Sequence, residues 1–258
     1  MKINGFFEEN KRIAVAFSGG VDSAYLLYAA VKAGADVKAY CVRSAFQPGF
    51  EYEDARKLAE QIGAEFEVIN VDVLSDETVT ANPADRCYYC KTRIMTAIKA
   101  AAGADGYDMV CDGTNASDDV SDRPGTKALK ELGIRSPLRE CGLSKTDIRR
   151  LSKEACLPTW DKPAYACLAT RIRTGEEITA DKLRTTEKAE IIMNDMGFRD
   201  FRVRMRGNDA LVQIAEDQHP DALMREGEIK SALADLYEKV EIDEVPRLRN
   251  IDLKELGL

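Results

Sequence analysis

The first half of the chain alternates short apolar runs with segments that carry helical spacing. Four runs rich in β-branched residues predict buried strands: RIAVAF (12–17), VKAYCV (37–42), EFEVIN (65–70) and DMVCD (108–112). Helical segments separate them: AYLLYAAVKAG (24–34), EYEDARKLAEQIG (51–63) and a stretch from residue 85 to 102. This alternation predicts an α/β fold with a parallel sheet covered on both faces. In such a sheet the ligand lies at the carboxyl ends of the strands.

The order of the elements changes in the second half. Ser144, with Asp147 three residues later, predicts the capped start of a helix. Residues 157–173 are irregular and predict a junction between domains. Beyond it we expect a helix from Thr179 to Met196, a hairpin of FRVRMR and ALVQIA (201–215), a helix from Pro220 to Glu238 and a strand at Val240–Ile242. The chain is therefore predicted to hold a main domain in residues 1–172 and a small α+β domain in 173–258, for substrate binding or oligomerisation.

Length and charge limit the classes of function. The chain has 258 residues, with 37 Lys plus Arg, 45 Asp plus Glu and a formal net charge of −8. This balance disfavours binding to nucleic acid or to an anionic membrane, so an anionic substrate needs a local basic pocket. The first residues lack the pattern of a signal peptide, and no run approaches ~20 apolar residues, so we expect a cytoplasmic protein.

SGGVDS (18–23) lies between the first predicted strand and the first predicted helix. Gly19 and Gly20 permit the positive φ and the close approach that a cradle of backbone N–H groups for phosphate requires. Ser18 and Ser23 add hydroxyls, and Asp22 is a candidate Mg²⁺ ligand or a first-turn acid that opposes the helix dipole. An ordinary glycine turn is the alternative, but it explains one glycine rather than the hexapeptide.

Two of the seven cysteines, Cys87 and Cys90, share one face near the start of a predicted helix, a setting that favours thiolate. Cys167 lies in an irregular segment, where functional residues are common. The three are candidates for metal ligands or nucleophiles, while a redox disulfide or adventitious zinc remains open. The remaining cysteines are predicted to be small buried residues: Cys41, Cys111, Cys141 and Cys156. The single histidine, His219, is predicted at a helix start or on the surface.

SGGVDS resembles the signature of the PP-loop ATP pyrophosphatases, whose fold is of the adenine nucleotide alpha hydrolase-like type. The resemblance implies that ATP is cleaved between its α and β phosphates, with adenylation of a substrate oxygen and release of pyrophosphate. It also implies ATP contacts from Ser18, Gly19, Gly20, Val21, Asp22 and Ser23. Members of this superfamily use either ammonia or sulfur, so the loop alone leaves the acceptor open.

Longer motifs indicate which family of this superfamily the sequence resembles. DRCYYCK, CDGTNASDD, SPLRECGLSKTDIRRLS, LPTWDKPAYACLATRI and MGFRDFRVRMRG are together similar to the LarE family of ATP-dependent sulfur transferases. That family thiolates pyridinium-3,5-biscarboxylic acid mononucleotide, a step toward the nickel-pincer nucleotide cofactor. The resemblance spans the chain from Ser18 to about Gly207 and implies a homo-oligomer, often a hexamer.

LarE-like enzymes are of two types. One sacrifices the sulfur of a single cysteine, matching Cys167, and the other holds a [4Fe–4S] cluster on three cysteines, matching Cys87, Cys90 and Cys167. This sequence has all three, so the resemblance implies the cluster type, although a sacrificial Cys167 stays open. Arg171, four residues after Cys167, is expected to steady the adenylate or a cluster sulfide, and completes the predicted catalytic set.

Arg202, Arg204 and Arg206 alternate along one predicted strand and therefore share a face. Three guanidinium groups there can grip phosphate or carboxylate, although a solvated strand face fits the spacing equally well. The LarE resemblance implies that Arg202 and Arg204 bind the substrate phosphate, with Arg206 as a weaker candidate.

Other residues are predicted at the carboxyl edge of the sheet, near the nucleotide. Asp112, Thr114 and Asn115 follow the fourth strand, where turn chemistry is the alternative. Ser44 follows the second strand, and the resemblance implies that residues at this position contact the adenine of ATP. An acidic group of Asp118, Asp119 and Asp122 predicts either Mg²⁺ orientation or a hydrated loop.

The predicted reaction has two steps. The substrate carboxylate attacks the α-phosphorus of ATP, and a sulfur nucleophile then attacks the acyl adenylate and expels AMP. The predicted cofactors are ATP, Mg²⁺ and a [4Fe–4S] cluster. The alternatives are a tRNA thiolation enzyme, an ammonia-dependent synthetase and a nonenzymatic metal-binding module.

Overall fold

The computed structural model describes residues 2–118, 124–163 and 165–248, which form two compact units. The first unit contains the described chain up to Val73 together with Asp85–Lys162. The second contains Leu74–Ala84 and the chain from Pro163 onward. The chain therefore changes units at Pro163, before the domain boundary predicted at residue 172, and the functions assigned to the predicted domains remain predictions.

The first unit is built on a four-stranded parallel sheet. Its strands are β1 (Arg12–Ala16), β2 (Asp36–Arg43), β3 (Glu65–Asn70) and β4 (Val110–Cys111), in the order β3-β2-β1-β4. Val15 of β1 pairs with Ala39 of β2 and with Cys111 of β4, all in parallel. The predicted α/β class and parallel sheet are confirmed. β4 is shorter than predicted because only Ala14 and Val15 of β1 pair with it.

Helices pack on this sheet and also build the second unit. In chain order they are α1 (Ile3–Glu9), α2 (Val21–Lys32), α3 (Gly49–Ile62), α4 (Glu77–Thr80), α5 (Arg86–Ala104), α6 (Pro124–Glu131), α7 (Pro137–Glu140), α8 (Lys145–Glu154), α9 (Ala180–Asp195), α10 (His219–Met224) and α11 (Glu226–Leu233). In the first unit, Leu26 and Leu27 of α2, Leu58 of α3 and Ile148 of α8 join one buried core with Val15.

The start of α8 is the local feature that the sequence predicts best. Ser144 Oγ accepts a hydrogen bond from the Asp147 N–H at 3.1 Å, and the Asp147 carboxylate accepts one from the Ser144 N–H at 3.1 Å. This is the predicted capping box, and it satisfies N–H groups that a helix start otherwise leaves without partners.

The second unit contains a mixed sheet of β5 (Phe201–Arg206), β6 (Asp209–Ile214) and β7 (Val240–Ile242). β5 and β6 form the predicted hairpin, and β7 pairs in parallel with β6. Met193, Phe198, Val203, Val212 and Ile229 meet in its core. A 3₁₀ turn at Leu168–Arg171 precedes α9.

The single helix predicted from Pro220 to Glu238 is wrong. α10 and α11 are separate helices, because the backbone of Arg225 (φ −99°, ψ 16°) leaves the helical region between them. Nη1 of Arg225 donates to the Met196 carbonyl at 3.1 Å, which joins this break to the end of α9. None of the helices in the described residues is both long and apolar enough to cross a membrane.

Candidate functional site

The loop between β1 and α2 is held by its own serine hydroxyls. The Ser18 N–H donates to Ser23 Oγ at 3.3 Å, the Gly20 N–H donates to Ser18 Oγ at 3.4 Å, and Ser23 Oγ donates to the Gly20 carbonyl at 3.2 Å. Gly19 has a φ of +70°, and a Cβ there would lie 3.0 Å from the Cβ of Ala55. Conformation and space therefore both require glycine. These internal hydrogen bonds are at the long end of the normal range.

Asp22 lies in the first turn of α2, next to the buried Val21. Its Oδ2 atom is 2.5 Å from Nζ of Lys145, and its Oδ1 accepts from Nδ2 of Asn115 at 3.4 Å. Lys145 begins α8, so the two helix starts meet through this ion pair. The sequence prediction included Asp22 and Asn115 but missed Lys145, which lies 123 positions from its partner.

Asp112 is the first residue after β4, at the carboxyl edge of the sheet. It is only 5% exposed, and its carboxylate accepts from the N–H and Oγ1 of Thr114 at 3.2 and 2.6 Å and from Oγ of Ser136 at 2.7 Å. These bonds show the turn chemistry that was one of the two interpretations. Because all three donors are internal, Asp112 shapes this loop.

Gly113 brings the same loop against the start of α2. A Cβ at this position would lie 2.9 Å from the backbone nitrogen of Ser23 and 3.2 Å from the Cβ of Asp22. The sequence prediction passed over this glycine, although its place between two predicted ligands was the available signal. The loop after β4 therefore packs directly against Asp22 and Ser23 of the SGGVDS segment.

Arg139 fixes the far end of this loop. Its Nη1 donates to the carbonyls of Asn115 at 3.3 Å and Asp118 at 2.8 Å, and the Asp118 carboxylate accepts from the Asn115 N–H at 2.9 Å. Of the predicted acidic group, Asp119 and Asp122 lie outside the described residues. Ser44 directly follows β2 at the same sheet edge, where its Oγ accepts from the Phe46 N–H at 3.4 Å.

Four cysteines of the first unit differ in exposure: Cys87 and Cys90 are accessible, whereas Cys41 and Cys111 are buried. Cys87 is exposed and Cys90 half-buried, on successive turns at the start of α5, and Nη2 of Arg86 lies 3.7 Å from the sulfur of Cys87. Cys41 and Cys111 are buried as predicted, and burial raises the pKa of Cys41 to about 11 and that of Cys111 to about 12. These two thiols stay protonated at neutral pH.

The prediction that Cys156 is buried is wrong. This cysteine is exposed, since it follows the end of α8 with a φ of +55°. Cys141, which was also predicted to be buried, is only half-buried. His219 is the first residue of α10 and is buried, with Nε2 2.7 Å from the Asp243 carbonyl. No group of three or more His, Cys, Asp or Glu side chains is gathered to hold a metal ion within residues 2–118, 124–163 and 165–248.

In the second unit, Cys167 caps the 3₁₀ turn and Arg171 ends it. Arg171 is 1% exposed, and its Nε and Nη2 donate to the two carboxylate oxygens of Glu190 at 2.7 and 2.9 Å. Its Nη1 donates to the carbonyls of Ala166 at 2.8 Å and Cys167 at 3.3 Å. Because this guanidinium is enclosed and donates to the Cys167 carbonyl, the structure favours a positioning role for Arg171. The predicted contact of Arg171 with the adenylate is less favoured. Glu190, which the sequence prediction missed, also accepts from the Val203 N–H at 3.0 Å.

The three arginines of β5 lie in different surroundings. Arg202 is 6% exposed, and burial, then repulsion from Arg171 and Arg247, lowers its pKa to about 10. Arg204 is half-buried and Arg206 is exposed. Arg204 and Arg206 line a cavity of about 630 Å³, and Arg202 is not part of its lining.

A four-stranded parallel sheet that carries SGGVDS after its first strand, with polar side chains after β2 and β4, defines a PP-loop enzyme that uses ATP. Residues 12–96 match the sequence family described as "Queuosine biosynthesis protein QueC".

Similarity to other proteins extends over most of the chain. An uncharacterised protein of Synechocystis sp. is 39% identical over 83% of this chain and 80% of its own length. The pyridinium-3,5-bisthiocarboxylic acid mononucleotide synthase of Lactiplantibacillus plantarum is 33% identical over 88% of this chain and 83% of the synthase. A tRNA-specific 2-thiouridylase of Clostridium botulinum is 29% identical over 58% of this chain and 52% of that enzyme. The chain belongs to the LarE family of ATP-dependent sulfur transferases, which includes the L. plantarum synthase.

Proposed function

We propose that this enzyme thiolates a carboxylate of pyridinium-3,5-biscarboxylic acid mononucleotide, in the biosynthesis of the nickel-pincer nucleotide cofactor. The observation that carries the proposal is the 33% identity to the L. plantarum synthase over 88% of the chain, because the name of that enzyme states the product. The contact of Gly113, in the loop after β4, with the SGGVDS segment supports the ATP-dependent part of the proposal, since ligands of such sheets bind at the carboxyl ends of the strands.

In the first step, a substrate carboxylate oxygen attacks the α-phosphorus of ATP, the bond to the β-phosphate bridging oxygen breaks, and pyrophosphate leaves. The proposed phosphate ligands are the loop residues Ser18, Gly19, Gly20, Val21 and Ser23. Ser44, Asp112, Thr114 and Asn115 are proposed to border the rest of the nucleotide. Adenylation is needed because an ionised carboxylate is a poor electrophile.

Asp22 is the proposed ligand for Mg²⁺. Its carboxylate is a hard oxygen donor beside the phosphate loop, and only 23% of its side chain is exposed, so it fits the ion. Bound Mg²⁺ would offset charge on the phosphate oxygens, and Lys145 would then be freed to donate to the same oxygens.

In the second step, a sulfur nucleophile attacks the acyl carbon and the carbon–oxygen bond to AMP breaks, which leaves a thiocarboxylate. Cys87, Cys90 and Cys167 are the proposed ligands of a [4Fe–4S] cluster. Their accessibility supports the proposal, because these thiols are exposed or half-buried whereas Cys41 and Cys111 are enclosed. Three thiolates leave one iron of such a cluster without a protein ligand, so that it can bind a sulfide.

The sulfur of Cys167 is the second candidate source of sulfur, because Arg171 fixes the backbone of this cysteine. In that route the Cys167 sulfur attacks the acyl carbon to form a thioester. Loss of the Cα proton then breaks the Cβ–S bond and leaves dehydroalanine with the thiocarboxylate product. In both routes Arg171 is a positioning residue, and Arg202, Arg204 and Arg206 are the proposed ligands of the substrate anion.

Two other activities are less well supported. A tRNA thiolation enzyme agrees with the partial similarity to the thiouridylase, but a net charge of −8 disfavours RNA. An ammonia-dependent synthetase explains the phosphate loop without giving the cysteines a role. A cytoplasmic location and a homo-oligomeric, hexameric state are part of the proposal, the latter testable by light scattering.

The test is anaerobic purification followed by a visible spectrum and a mass-spectrometric assay of ATP-dependent thiolation, with and without added sulfide. The variants are Cys87→Ser, Cys90→Ser and Cys167→Ser, with Cys156→Ser as the matched exposed control. We expect an iron–sulfur absorbance that the first three variants lose and the control keeps, and repeated turnover only with sulfide. A colourless enzyme whose Cys167 loses the mass of H₂S would replace the cluster route with the sacrificial one. Absence of any ATP-dependent thiolation would refute the function itself.

A further inference from the structure

Arg149 of α8 is a buried cation, only 2% exposed. In the part of the chain that the structure describes, its guanidinium bonds to backbone carbonyls and forms no ion pair with a carboxylate. The next residue, Arg150, shows the ordinary arrangement of a helix surface, since its side chain is 54% exposed and its Nη1 donates to Glu154 at 2.8 Å. The burial of Arg149 therefore needs an explanation of its own.

The two carbonyls that Arg149 binds lie close together in the chain. Its Nη1 donates to the Trp160 carbonyl at 2.6 Å and its Nη2 to the Lys162 carbonyl at 3.0 Å. Because the guanidinium is planar and rigid, two such bonds fix both the position and the direction of the backbone that accepts them. Arg149 thus anchors the last residues of the first unit, the exit segment (residues 157–162).

The exit segment contains no helix or strand of its own. The Leu157 N–H donates to the Ser152 carbonyl of α8 at 2.9 Å, and the Lys162 N–H donates to the Thr159 carbonyl at 3.1 Å, within a turn. The carbonyls of Trp160 and Lys162 are the acceptors that Arg149 takes. A side chain therefore supplies the donors that regular secondary structure supplies elsewhere.

Stability alone does not explain this arrangement. Burial lowers the pKa of Arg149, and the charges of Asp22 and Asp161 oppose this shift only in part. Its Nε is also buried and has no acceptor among the described residues. Burial of such a charge costs free energy, and replacement of buried charged groups by apolar ones is often neutral or stabilising. The benefit of Arg149 is therefore the position that it gives to the exit segment.

The exit segment leads directly to Cys167. Lys162 is the last residue of this part of the first unit, and Cys167 follows it by 167 − 162 = 5 positions. Five residues span at most about 18 Å when fully extended, so a fixed Lys162 limits the space that is open to Cys167. On the other side of the cysteine, Nη1 of Arg171 donates to the Cys167 carbonyl. Buried arginines thus restrain the chain both before and after Cys167.

We propose that Arg149 is a positioning residue for sulfur transfer, which fixes the exit segment from which the chain continues to Cys167. The inference rests on the proposed function, because it takes Cys167 as a residue that delivers sulfur, by either route. Arg149 acts on the second step of the reaction and leaves adenylation to the residues around SGGVDS. When sulfur transfer is slowed, water hydrolyses the acyl adenylate, so pyrophosphate is still released while the thiocarboxylate is lost.

The experiment measures pyrophosphate and thiocarboxylate in the same reaction. The variants are Arg149→Met and Arg149→Lys, with Arg150→Met as the matched control because Arg150 is the exposed neighbour on α8. We expect Arg149→Met to lower the yield of thiocarboxylate per pyrophosphate by about 10-fold, with the KM for ATP changed by less than about twofold. Arg149→Lys should give an intermediate yield, since one ammonium group does not reproduce the planar pair of donors. The control should keep the wild-type yield.

A second measurement reports the exit segment itself. Trp160 is the only tryptophan of the chain and is half-buried, so quenching of its fluorescence by acrylamide follows the exposure of this segment. In protein without ligands, Arg149→Met should raise the quenching constant by about twofold, and Arg150→Met should leave it unchanged. Urea unfolding identifies any variant that is not folded, in which case Arg149→Lys decides.

Several results would overturn the inference. A variant that is merely less stable lowers both products in proportion, so an unchanged ratio in folded Arg149→Met or Arg149→Lys protein would refute a positioning role. Unchanged quenching of Trp160, or an equal effect of Arg150→Met, would do the same. A wild-type enzyme that releases pyrophosphate without forming thiocarboxylate would instead refute the proposed function, and the quenching measurement would still decide whether Arg149 holds the exit segment.

Discussion

Nζ of Lys145 lies 2.5 Å from Oδ2 of Asp22, so the first residue of α8 neutralises the acid in the first turn of α2. The two side chains are 28% and 23% exposed, which limits the screening of the pair by water. Two helix starts, each with a positive dipole end, therefore meet at one carboxylate. The ion pair therefore orients the carboxylate of Asp22, the fifth residue of SGGVDS.

Replacement of Lys145 by glutamine should weaken ATP binding. The variant removes a cation beside the loop and leaves Asp22 to repel the phosphates, so we expect the KM for ATP to rise by about 10-fold. The measurement is pyrophosphate release as a function of ATP concentration. Lys57→Gln, an exposed lysine on α3, is the matched control and should leave the KM unchanged. Equal values for both variants would contradict the proposed role.

Replacement of Gly113 by alanine should disturb the junction of the two loops. The added Cβ would lie 2.9 Å from a backbone atom of α2, which cannot rotate away, so we expect a loss of about 1–3 kcal/mol in the free energy of unfolding and weaker ATP binding. The control is Gly227→Ala in α11, where a Cβ meets no atom within 4 Å. That change should stabilise the helix by about 0.5–1 kcal/mol. Urea denaturation measures both, and a stable Gly113→Ala protein would refute the packing argument.

Replacement of Arg171 by methionine should be strongly destabilising. It leaves the carboxylate of Glu190 buried without its cation, which costs about 3–5 kcal/mol. The double variant Arg171→Met with Glu190→Gln should recover part of the loss, because the amide carries no charge and still accepts from the Val203 N–H. Chemical denaturation gives the energies. Faster alkylation of Cys167 in the single variant would report the loss of its carbonyl anchor, and an unchanged rate would count against positioning.

The cysteines should differ sharply in their reaction with iodoacetamide. Cys87 and Cys156 are exposed, whereas burial raises the pKa of Cys41 from 9.0 to about 11 and that of Cys111 from 9.0 to about 12. At pH 8 we expect peptide mass spectrometry to find label on the exposed pair and none on the buried pair. Since the folded state favours the protonated thiols, their contribution to stability should be complete below pH 9 and decline as pH rises toward 11 and 12. Modification of Cys111 at pH 8 in native protein would contradict this.

The sequence predicts the features that depend on nearby residues. The capping box of Ser144 and Asp147, the strand at RIAVAF and the glycine loop all rest on neighbours within a few positions. The break at Arg225 was not predictable in this way, because the side chain that accompanies it reaches Met196, distant in the sequence.

In the candidate site, too, features that depend on nearby residues are predictable, and contacts between distant residues are not. The loop residues from Ser18 to Ser23 form a recognisable pattern, but Lys145 finds Asp22 only once α8 packs against α2. Alternation along β5 correctly predicts a shared strand face for Arg202, Arg204 and Arg206. It does not predict that Arg202 is buried while Arg206 remains exposed, because burial depends on elements such as the loop at Tyr165, whose ring Arg202 overlies at 5.4 Å.

The segment Leu74–Ala84 belongs to the second unit although the chain on either side of it belongs to the first. Neither unit is therefore a continuous piece of the gene. A truncation after Lys162 would remove the backbone groups of Arg173 and Ile178 to which Asn82 and Thr80 hydrogen-bond. A fragment that begins at Pro163 would lack Asn82 and Thr80 themselves. Anyone who wishes to dissect this enzyme would need a circular permutant or a grafted peptide rather than a simple cut.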